Sequence, residues 1–175
     1  MRTPRRPFIR YGIRTLLLLT LLCSLPLAWL AHKRLEWIEE QATIDAISPH
    51  VAYVDRTYVG PPWLYRAGVR FEFFFRVDHV DFAGYSKPGA VWRSTDPICQ
   101  FNDTDLKAIA PHLQKLAYLR ELHLETTSIT DASADVIAQF DNVEFLNLQD
   151  NALSDSTVRE LMARMPDTKI AFFFQ

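Results

Sequence analysis

A segment in the C-terminal half of the chain repeats itself 24 residues later. Residues 119–131 read LRELHLETTSITD, and residues 143–155 read VEFLNLQDNALSD. Every apolar position recurs, and so does a polar residue (Thr127, Asn151) suited to bonding the backbone of a turn. Self-similarity at a period of 20 to 50 residues is typical of chains built from stacked structural units. This repeat constrains the fold more than any other feature of the sequence.

The same pattern extends in both directions along the chain. One further step of 24 residues places Ile170 at the position of Leu146. Before the first of the two copies, segment 77–82 has the same L-x-x-L-x-L shape, and an insert at 84–100 follows it. The repeated region therefore covers residues 77–175.

Each unit predicts one strand followed by one helix. The second and third apolar residues of the pattern lie two apart, as in a strand with one buried face. Asp131 and Asp155 are predicted to cap the helices that follow, and Asp103 or Thr104 to cap an earlier helix at 104–116. The helix positions expected to be buried are Leu106, Ile109, Leu113, Leu116, Val136, Ile137, Phe140, Val158, Leu161, Met162 and Met165.

This pattern resembles the leucine-rich repeat, whose signature is L-x-x-L-x-L-x-x-N/C-x-L. The layout also resembles small bacterial leucine-rich-repeat proteins with an N-terminal signal anchor. The resemblance implies an α/β fold, namely a short solenoid of 3–4 repeats with parallel strands and with helices on the convex side. It also implies protein–protein recognition through the concave strand face. The first unit departs from the signature at the turn position, and the last is cut off after its strand.

The N-terminal region has the composition of a membrane anchor. Residues 15–31 contain nine Leu and no charged residue. As a helix they would span roughly 25 Å, close to the roughly 30 Å hydrocarbon core of a bilayer. Residues 1–34 hold seven Lys or Arg and no acid, and five of these Arg precede the apolar run. The positive-inside rule therefore predicts a single-pass protein with a cytoplasmic N-terminus and an extracytoplasmic C-terminal domain.

Two other interpretations of the apolar run stay open. A cleaved signal peptide requires small residues one and three positions before the cut. Ala28 is preceded at that distance by Pro26, and Ala31 by Trp29, so both sites are poor. The other alternative is a buried helix of a soluble protein. An uncleaved anchor agrees better with the flanking charges.

The predicted organisation follows from these segments. In the cap, a strand is expected at 50–55 and a short helix from Pro62, and the phenylalanines between 71 and 75 are expected to close the core of the first repeat. The predicted parts are a basic cytoplasmic tail (1–14), a transmembrane signal anchor (15–31), a helical stalk (32–47), an N-terminal cap (48–76) and the leucine-rich-repeat domain (77–175, with its insert at 84–100).

Composition and missing motifs exclude several classes of function. Beyond residue 34 the chain has 12 Lys or Arg against 21 acids, a formal charge of 12 − 21 = −9, which argues against a nucleic-acid partner. Two Cys exclude a disulfide scaffold and a Cys-based zinc site. No nucleotide-binding, serine-hydrolase or metalloprotease signature is present in the sequence. The prediction is a non-enzymatic protein without catalytic residues, cofactor or metal.

The predicted recognition site consists of the outward positions of the strands. Equivalent residues of successive units should form rows across the sheet, about 4.8 Å apart per strand. Replacing the outward Glu125 with Ala is expected to cost little stability. The site residues are Asp78, His79, Asp81, Arg120, Glu121, His123, Glu125, Glu144, Phe145, Asn147 and Gln149.

Two alternatives to recognition of an unknown protein partner remain. The apolar end of the chain, Phe172 to Phe174, predicts an edge strand, so the protein could instead self-associate and serve as a structural or assembly protein. Alternatively, His79, Asp81 and His123 could form a metal-binding or enzymatic site, because imidazole and carboxylate are common metal ligands.

Overall fold

The computed structural model describes residues 12–82 and 101–173. They form an α/β fold with a long apolar N-terminal helix and a five-stranded mixed sheet whose strands follow one another in chain order. The predicted insert at 84–100, the basic tail up to residue 11, and Phe174 lie outside the described residues.

Helix α1 (Ile13–Ile47) joins the predicted anchor and stalk in one helix of 35 residues that continues through Pro26. Residues 15–29 are all exposed, whereas Thr43 and Ile47 near the end of the helix are buried against the rest of the molecule. Among the described residues, α1 is the one helix long and apolar enough to cross a membrane. That property suits an anchor or a signal sequence.

The cap region supplies the first strand of the sheet. Strand β1 (Tyr53–Tyr58) begins three residues later than the predicted strand, and helix α2 (Pro62–Arg66) starts at Pro62 as predicted. After a 3₁₀ turn (Glu72–Phe74), strand β2 (Phe75–Asp81) pairs antiparallel with β1. The strand predicted in the cap therefore makes the sheet mixed, because the pairing becomes parallel only from β2 onward. The connection holds only short turns of helix and reverses the chain, so it favours antiparallel pairing.

The phenylalanines before β2 do not close the repeat core as expected. Phe74 is fully buried, but its ring lies 5.6 Å from the ring of Trp29 on α1 and 5.9 Å from that of Tyr58. Phe71 remains exposed. A Cβ atom at Gly60 would lie 2.6 Å from the Phe74 ring, so this aromatic contact requires glycine there.

Three short parallel strands continue the sheet from β2. They are β3 (Glu121–His123), β4 (Phe145–Asn147) and β5 (Lys169–Ala171). Val80, Leu122, Leu146 and Ile170 lie side by side across the four strands. This is the register that the repeat spacing predicts, and it is confirmed.

A helix precedes each of the last three strands. They are α3 (Asp103–Leu113), α4 (Ala134–Ile137) and α5 (Asp155–Arg164). Helix α3 ends before the predicted residue 116, although Leu116 is still buried. The predicted helix positions join the strand residues in one continuous core, with the exceptions of the half-buried Val136 and the exposed Met162.

The helix caps lie one residue before the predicted aspartates. Asn102, Thr130 and Ser154 accept hydrogen bonds from the backbone at the start of the next helical turns. These residues have extended backbones, which is the conformation of an N-cap. Asp131 and Asp155 are instead the first residues inside their helical turns.

Candidate functional site

The outward side of the sheet is built by the residues that alternate with its core positions. Val80, Leu122 and Leu146 are fully buried, so the residues on either side of each point away from the core. One row of equivalent residues contains His79, Glu121, Phe145 and Lys169. The second row contains Asp81, His123, Asn147 and Ala171. The predicted residues of β2, β3 and β4 thus lie together on one surface, called here the strand face.

Nine of the eleven predicted site residues are at least partly accessible. Arg120, Glu121 and Glu144 are exposed. The half-buried members are Asp78, His79, His123, Phe145, Asn147 and Gln149. The strand face is therefore a surface with charged edges and a row of imidazole, phenyl and amide groups between them.

Asp81 was predicted to be exposed, and this prediction is wrong, since the residue is fully buried. Tyr53 of β1 pairs opposite Asp81, and the N–H of Ala52 donates to the Asp81 carbonyl at 2.9 Å. The antiparallel strand from the cap therefore covers the end of β2. The sequence pattern of the repeat did not predict this neighbour.

Glu125 is also buried, contrary to the expectation of an outward, dispensable side chain. Its Oε1 lies 3.4 Å from Nδ1 of His123. The two residues are two apart in sequence, so they share one side of an extended segment. Glu125→Ala would leave the imidazole without this partner. We therefore expect the substitution to lower the free energy of unfolding by about 1–3 kcal/mol, and not by the small amount that the sequence predicted.

Two histidines and two glutamates form a compact cluster on the strand face. The rings of His79 and His123 lie 4.5 Å apart between centroids. Oε2 of Glu121 lies 3.1 Å from Nδ1 of His79 and 4.0 Å from Nε2 of His123. Glu125 contacts the opposite nitrogen of His123. We call His79, Glu121, His123 and Glu125 the His–Glu cluster.

Opposing effects set the pKa of His123, and the net result is a raised value. Burial disfavours the imidazolium and would lower the pKa. The hydrogen bond and charge of Glu125, with the nearby charges of Asp81 and Glu121, outweigh burial and raise it. The pKa of Asp78 is raised mainly by burial, with further repulsion from Asp55 and Glu121. The carboxylates of Glu125, Asp81 and Glu121 therefore concentrate negative charge around His123.

The structure changes the composition of the predicted metal alternative. His79 and His123 come together as expected, but Glu121 rather than Asp81 completes the group of donors. The repeat register already aligns His79 with Glu121, so the spacing contained this signal. His123 and Glu125 are both outward positions of the repeat, so strand alternation contained the signal for this pair as well.

The rim of the strand face carries one exposed ion pair and one cation–ring contact. Nη1 of Arg120 lies 3.5 Å from Oε1 of Glu144. Nζ of Lys169 lies 5.9 Å from the centre of the Phe145 ring. Exposed pairs of this kind contribute little to stability, so these groups are available to a partner.

A separate cleft of about 990 Å³ lies between α1 and the body. Sequence reasoning did not predict it, because it depends on how the stalk packs. Arg76, which is 1% exposed, fills one wall and pairs with Glu36 and Glu40 of α1 at 2.8 and 3.4 Å. His112, Lys115 and Tyr118 also line the cleft.

Comparison of the chain with known protein families, with curated proteins and with solved structures found no match. The strand face, the His–Glu cluster and the apolar surface of α1 are the features of the described residues that bear on function.

Proposed function

We propose that this chain is a single-pass membrane protein that presents a short leucine-rich-repeat solenoid for protein recognition through its strand face. The observation that carries the proposal is the alignment of equivalent residues on β2, β3, β4 and β5. Stacked units of this kind create an extended surface from side chains that are far apart in sequence. The proposed protein is not an enzyme.

Recurring turn geometry supports the solenoid part of the proposal. Thr126 and Asp150, which are 24 residues apart, both have positive φ values, 55° and 54°. Oδ1 of Asn151 accepts hydrogen bonds from the N–H and the hydroxyl of Thr127, the equivalent residue one unit earlier. Repetition of the backbone conformation, and not only of residue types, is what a stack of equivalent units requires.

Exposed aromatic residues near α1 support the membrane part. Trp63, at 66% exposure, lies with the exposed Tyr65 and Phe71 in the segment that packs on Trp29 through Phe74. We call Trp63, Tyr65 and Phe71 the aromatic collar. Aromatic side chains are enriched at the membrane–water interface. In the proposed arrangement the N-terminus is cytoplasmic, and the collar contacts the outer surface of the membrane.

The chemistry of the strand face supports a protein as the partner. Phe145 is half-buried between His123 and Lys169, with ring or charge contacts to both. Arg120 and Glu144 present exposed charges beside it. An aromatic anchor surrounded by charged groups is a common arrangement at protein interfaces.

Site-specific photo-crosslinking tests the recognition proposal. A benzophenone amino acid is placed at Phe145 or Glu144, with Lys107 and Ala163 on the exposed sides of α3 and α5 as controls. After irradiation of native membranes, we expect both strand-face positions to form an adduct with the same protein, identified by mass spectrometry. Adducts of equal yield at the control positions, or none at Phe145 and Glu144, would contradict the proposal.

The orientation is tested separately. A reporter enzyme that is active only outside the cytoplasm, fused after Gln175, should be active in cells. Protection of the C-terminal domain from protease added outside the membrane would contradict the proposed orientation.

Self-association through β5 is the second candidate function. Strand β5 is the last strand of the sheet, and Phe173 beyond it is 63% exposed. An apolar sheet edge favours pairing with another chain. This candidate predicts a dimer or larger species of the detergent-solubilised chain at micromolar concentration, which Phe173→Lys should dissociate. A monomer by analytical ultracentrifugation would exclude it.

A further inference from the structure

We propose that His79, Glu121 and His123 bind one divalent transition-metal ion, with Zn²⁺ as the best-suited ion. The three side chains come from adjacent strands β2 and β3, and their donor atoms lie within 4.8 Å of one another. Two imidazoles and one carboxylate suit zinc and related ions better than magnesium or calcium, which prefer oxygen ligands. The proposal does not depend on recognition of a protein partner.

The donor spacing is close to that of a tetrahedral site. Ligand atoms about 2.0–2.2 Å from a shared zinc ion are separated from one another by roughly 3.3–3.5 Å. Oε2 of Glu121 is 3.1 Å from Nδ1 of His79 and 4.0 Å from Nε2 of His123. All donor pairs, including the two imidazole nitrogens, lie within 4.8 Å, so binding requires rotation of the exposed Glu121 side chain and a small approach of the two rings.

The hydrogen bonds of His123 leave one nitrogen available for a cation. Nδ1 of His123 faces the Glu125 carboxylate at 3.4 Å, so in the neutral imidazole, the form that binds metal, Nδ1 carries the proton that is donated. Nε2 is then a lone-pair acceptor, and it is buried without a hydrogen-bond partner. It faces a second acceptor, the Glu121 carboxylate. A metal ion between the two would bind both acceptors, and Nδ1 of His79 would bind the ion through its lone pair in place of its present 3.1 Å contact with Glu121.

The surrounding groups have the character of an outer coordination shell. A metal-binding His commonly donates its other ring N–H to a carboxylate, which fixes its orientation and increases its basicity. Glu125 is buried and occupies this place beside His123. The Tyr53 ring packs edge-on against His79 at 6.0 Å. The carboxylate of Asp81 adds negative charge near His123.

The site is open to solvent on one side. Glu121 is 53% exposed, whereas His79 and His123 are only 14% and 15% exposed. Three protein ligands leave the fourth tetrahedral position for water or for a group of another molecule. The ion would also join β2 to β3, so its binding stabilises the folded state.

Metal titration of the full chain in detergent tests the proposal. The protein carries no polyhistidine tag and is first stripped with a chelator. We expect calorimetry to show one equivalent of Zn²⁺ bound with micromolar or tighter affinity, and Co²⁺ to give the visible absorption of a tetrahedral site. Zn²⁺ should also raise the melting temperature.

Four variants assign the ligands. His79→Ala, His123→Ala and Glu121→Gln should each weaken Zn²⁺ binding by more than about 100-fold, and Glu125→Gln by about 10-fold. His112→Ala, which removes a histidine of α3, is the matched control and should bind as the unaltered chain does. Glu121→Gln changes an exposed side chain without changing its shape, so it keeps the test valid if a histidine variant fails to fold.

Two experimental results would overturn the proposed metal site. Absence of stoichiometric Zn²⁺ or Co²⁺ binding by the unaltered chain overturns the proposal. Binding by Glu121→Gln and His79→Ala with unchanged affinity also overturns it, because the ion would then lie elsewhere. A failed crosslinking experiment leaves these measurements unaffected, so the metal site and the recognition function are judged separately.

Discussion

At the scale of the residue, the side chain of Asp103 connects its own repeat unit to the next one. Its carboxylate accepts hydrogen bonds from the N–H of Thr130 at 2.9 Å, from the Thr130 hydroxyl at 2.7 Å and from the hydroxyl of Ser133. Asp131 acts similarly one unit later, since it accepts from the N–H of Ser154 at 2.8 Å. Each aspartate therefore stabilises the start of the next unit instead of capping its own helix.

The pKa of Asp103 makes this contribution dependent on pH. Burial would raise the pKa, but hydrogen bonds from Ser133 and Thr130 and the charge of Lys107 outweigh it and lower the pKa below its usual value. A group whose pKa is lower in the folded state stabilises the fold above its unfolded-state pKa, about 3.9 for Asp. This stability is lost as the pH falls through the lower, folded-state pKa.

Asp103→Asn should therefore reduce the free energy of unfolding at pH 7 but not in strong acid. We expect a loss of about 1 kcal/mol at neutral pH, at the low end for a charged hydrogen bond because solvent screens the carboxylate. Urea titrations at pH 7 and pH 2.5 measure the difference, with Asp141→Asn as an exposed control. If Asp103→Asn lowered the free energy of unfolding by the same amount at both pH values, the stabilisation would not come from the charged Asp103 carboxylate.

At the scale of the element, the turns after the strands hold the units together. Strands β3, β4 and β5 each contain three residues and have few ladder hydrogen bonds. Nδ2 of Asn151 donates to the carbonyls of Leu124 at 2.7 Å and Leu148 at 3.3 Å, while its Oδ1 accepts two hydrogen bonds from Thr127. One amide thus joins the turns of two successive units.

Replacing Asn151 with Ala removes four hydrogen bonds and leaves buried backbone groups without partners. We expect the free energy of unfolding to fall by about 2–4 kcal/mol. Chemical denaturation followed by circular dichroism gives the value. Asn142→Ala, at an exposed position, should stay within about 0.5 kcal/mol of the unaltered chain. Similar values for the two variants would mean that the turn network contributes little.

Truncation of a core side chain in a strand should lower the free energy of unfolding more than truncation of its outward neighbour. Leu122 and Leu146 are fully buried side by side on β3 and β4. Leu122→Ala and Leu146→Ala should each lower the free energy of unfolding by about 2–5 kcal/mol, since a cavity remains where the side chain packed. Glu144→Ala, on the exposed side of the same strand region, should change stability by less than about 0.5 kcal/mol. The same denaturation measurement applies, and equal losses would contradict the strand orientation.

At the scale of the whole molecule, Arg76 joins α1 to the body. Its guanidinium donates to Glu36 and to the carbonyl of Lys33, and it pairs with Glu40. Glu40 also accepts from the N–H of Val77 at 2.9 Å. These contacts attach β2 to α1 through charged groups that are largely shielded from solvent.

Arg76→Ala should lower the free energy of unfolding by about 3–5 kcal/mol, because a carboxylate buried beside the arginine loses its counter-charge. Arg76→Met keeps the apolar stem of the side chain, and combined with Glu40→Gln it should recover part of the loss. Denaturation in detergent micelles, followed by near-ultraviolet circular dichroism, measures the effect. A loss below about 1 kcal/mol would show that α1 and the body are held together by other contacts.

The aromatic collar should lie at the lipid surface in the proposed membrane arrangement. A fluorophore attached at Phe71→Cys, in a chain whose Cys23 and Cys99 are replaced by Ser, should be quenched by brominated lipids in nanodiscs. The control Met162→Cys lies on the exposed side of α5 and should show little quenching. Equal quenching at both positions would argue against contact between the collar and the membrane.

Much of the fold was predictable because it depends on local patterns. The alternation in 119–124 and 143–148 predicted strands whose register follows from the repeat spacing. The apolar run at 15–31 and the spacing that follows it predicted an anchor helix with a helical stalk to residue 47, and α1 covers both segments. The cap positions were displaced by one residue, since Thr130 and Ser154 compete with the adjacent aspartates for the same backbone N–H groups, and only the geometry of the turn decides between them.

The sequence by itself determined the period of the units, the core faces of their strands and the exposed apolar helix, because each depends on residues close together in the chain. The tertiary structure decided which polar groups became buried. Antiparallel pairing of β1 covered Asp81, and packing of α1 enclosed Arg76. These outcomes depend on contacts between residues 28 (Tyr53 and Asp81) to 43 (Lys33 and Arg76) positions apart in the chain, which no local pattern specifies.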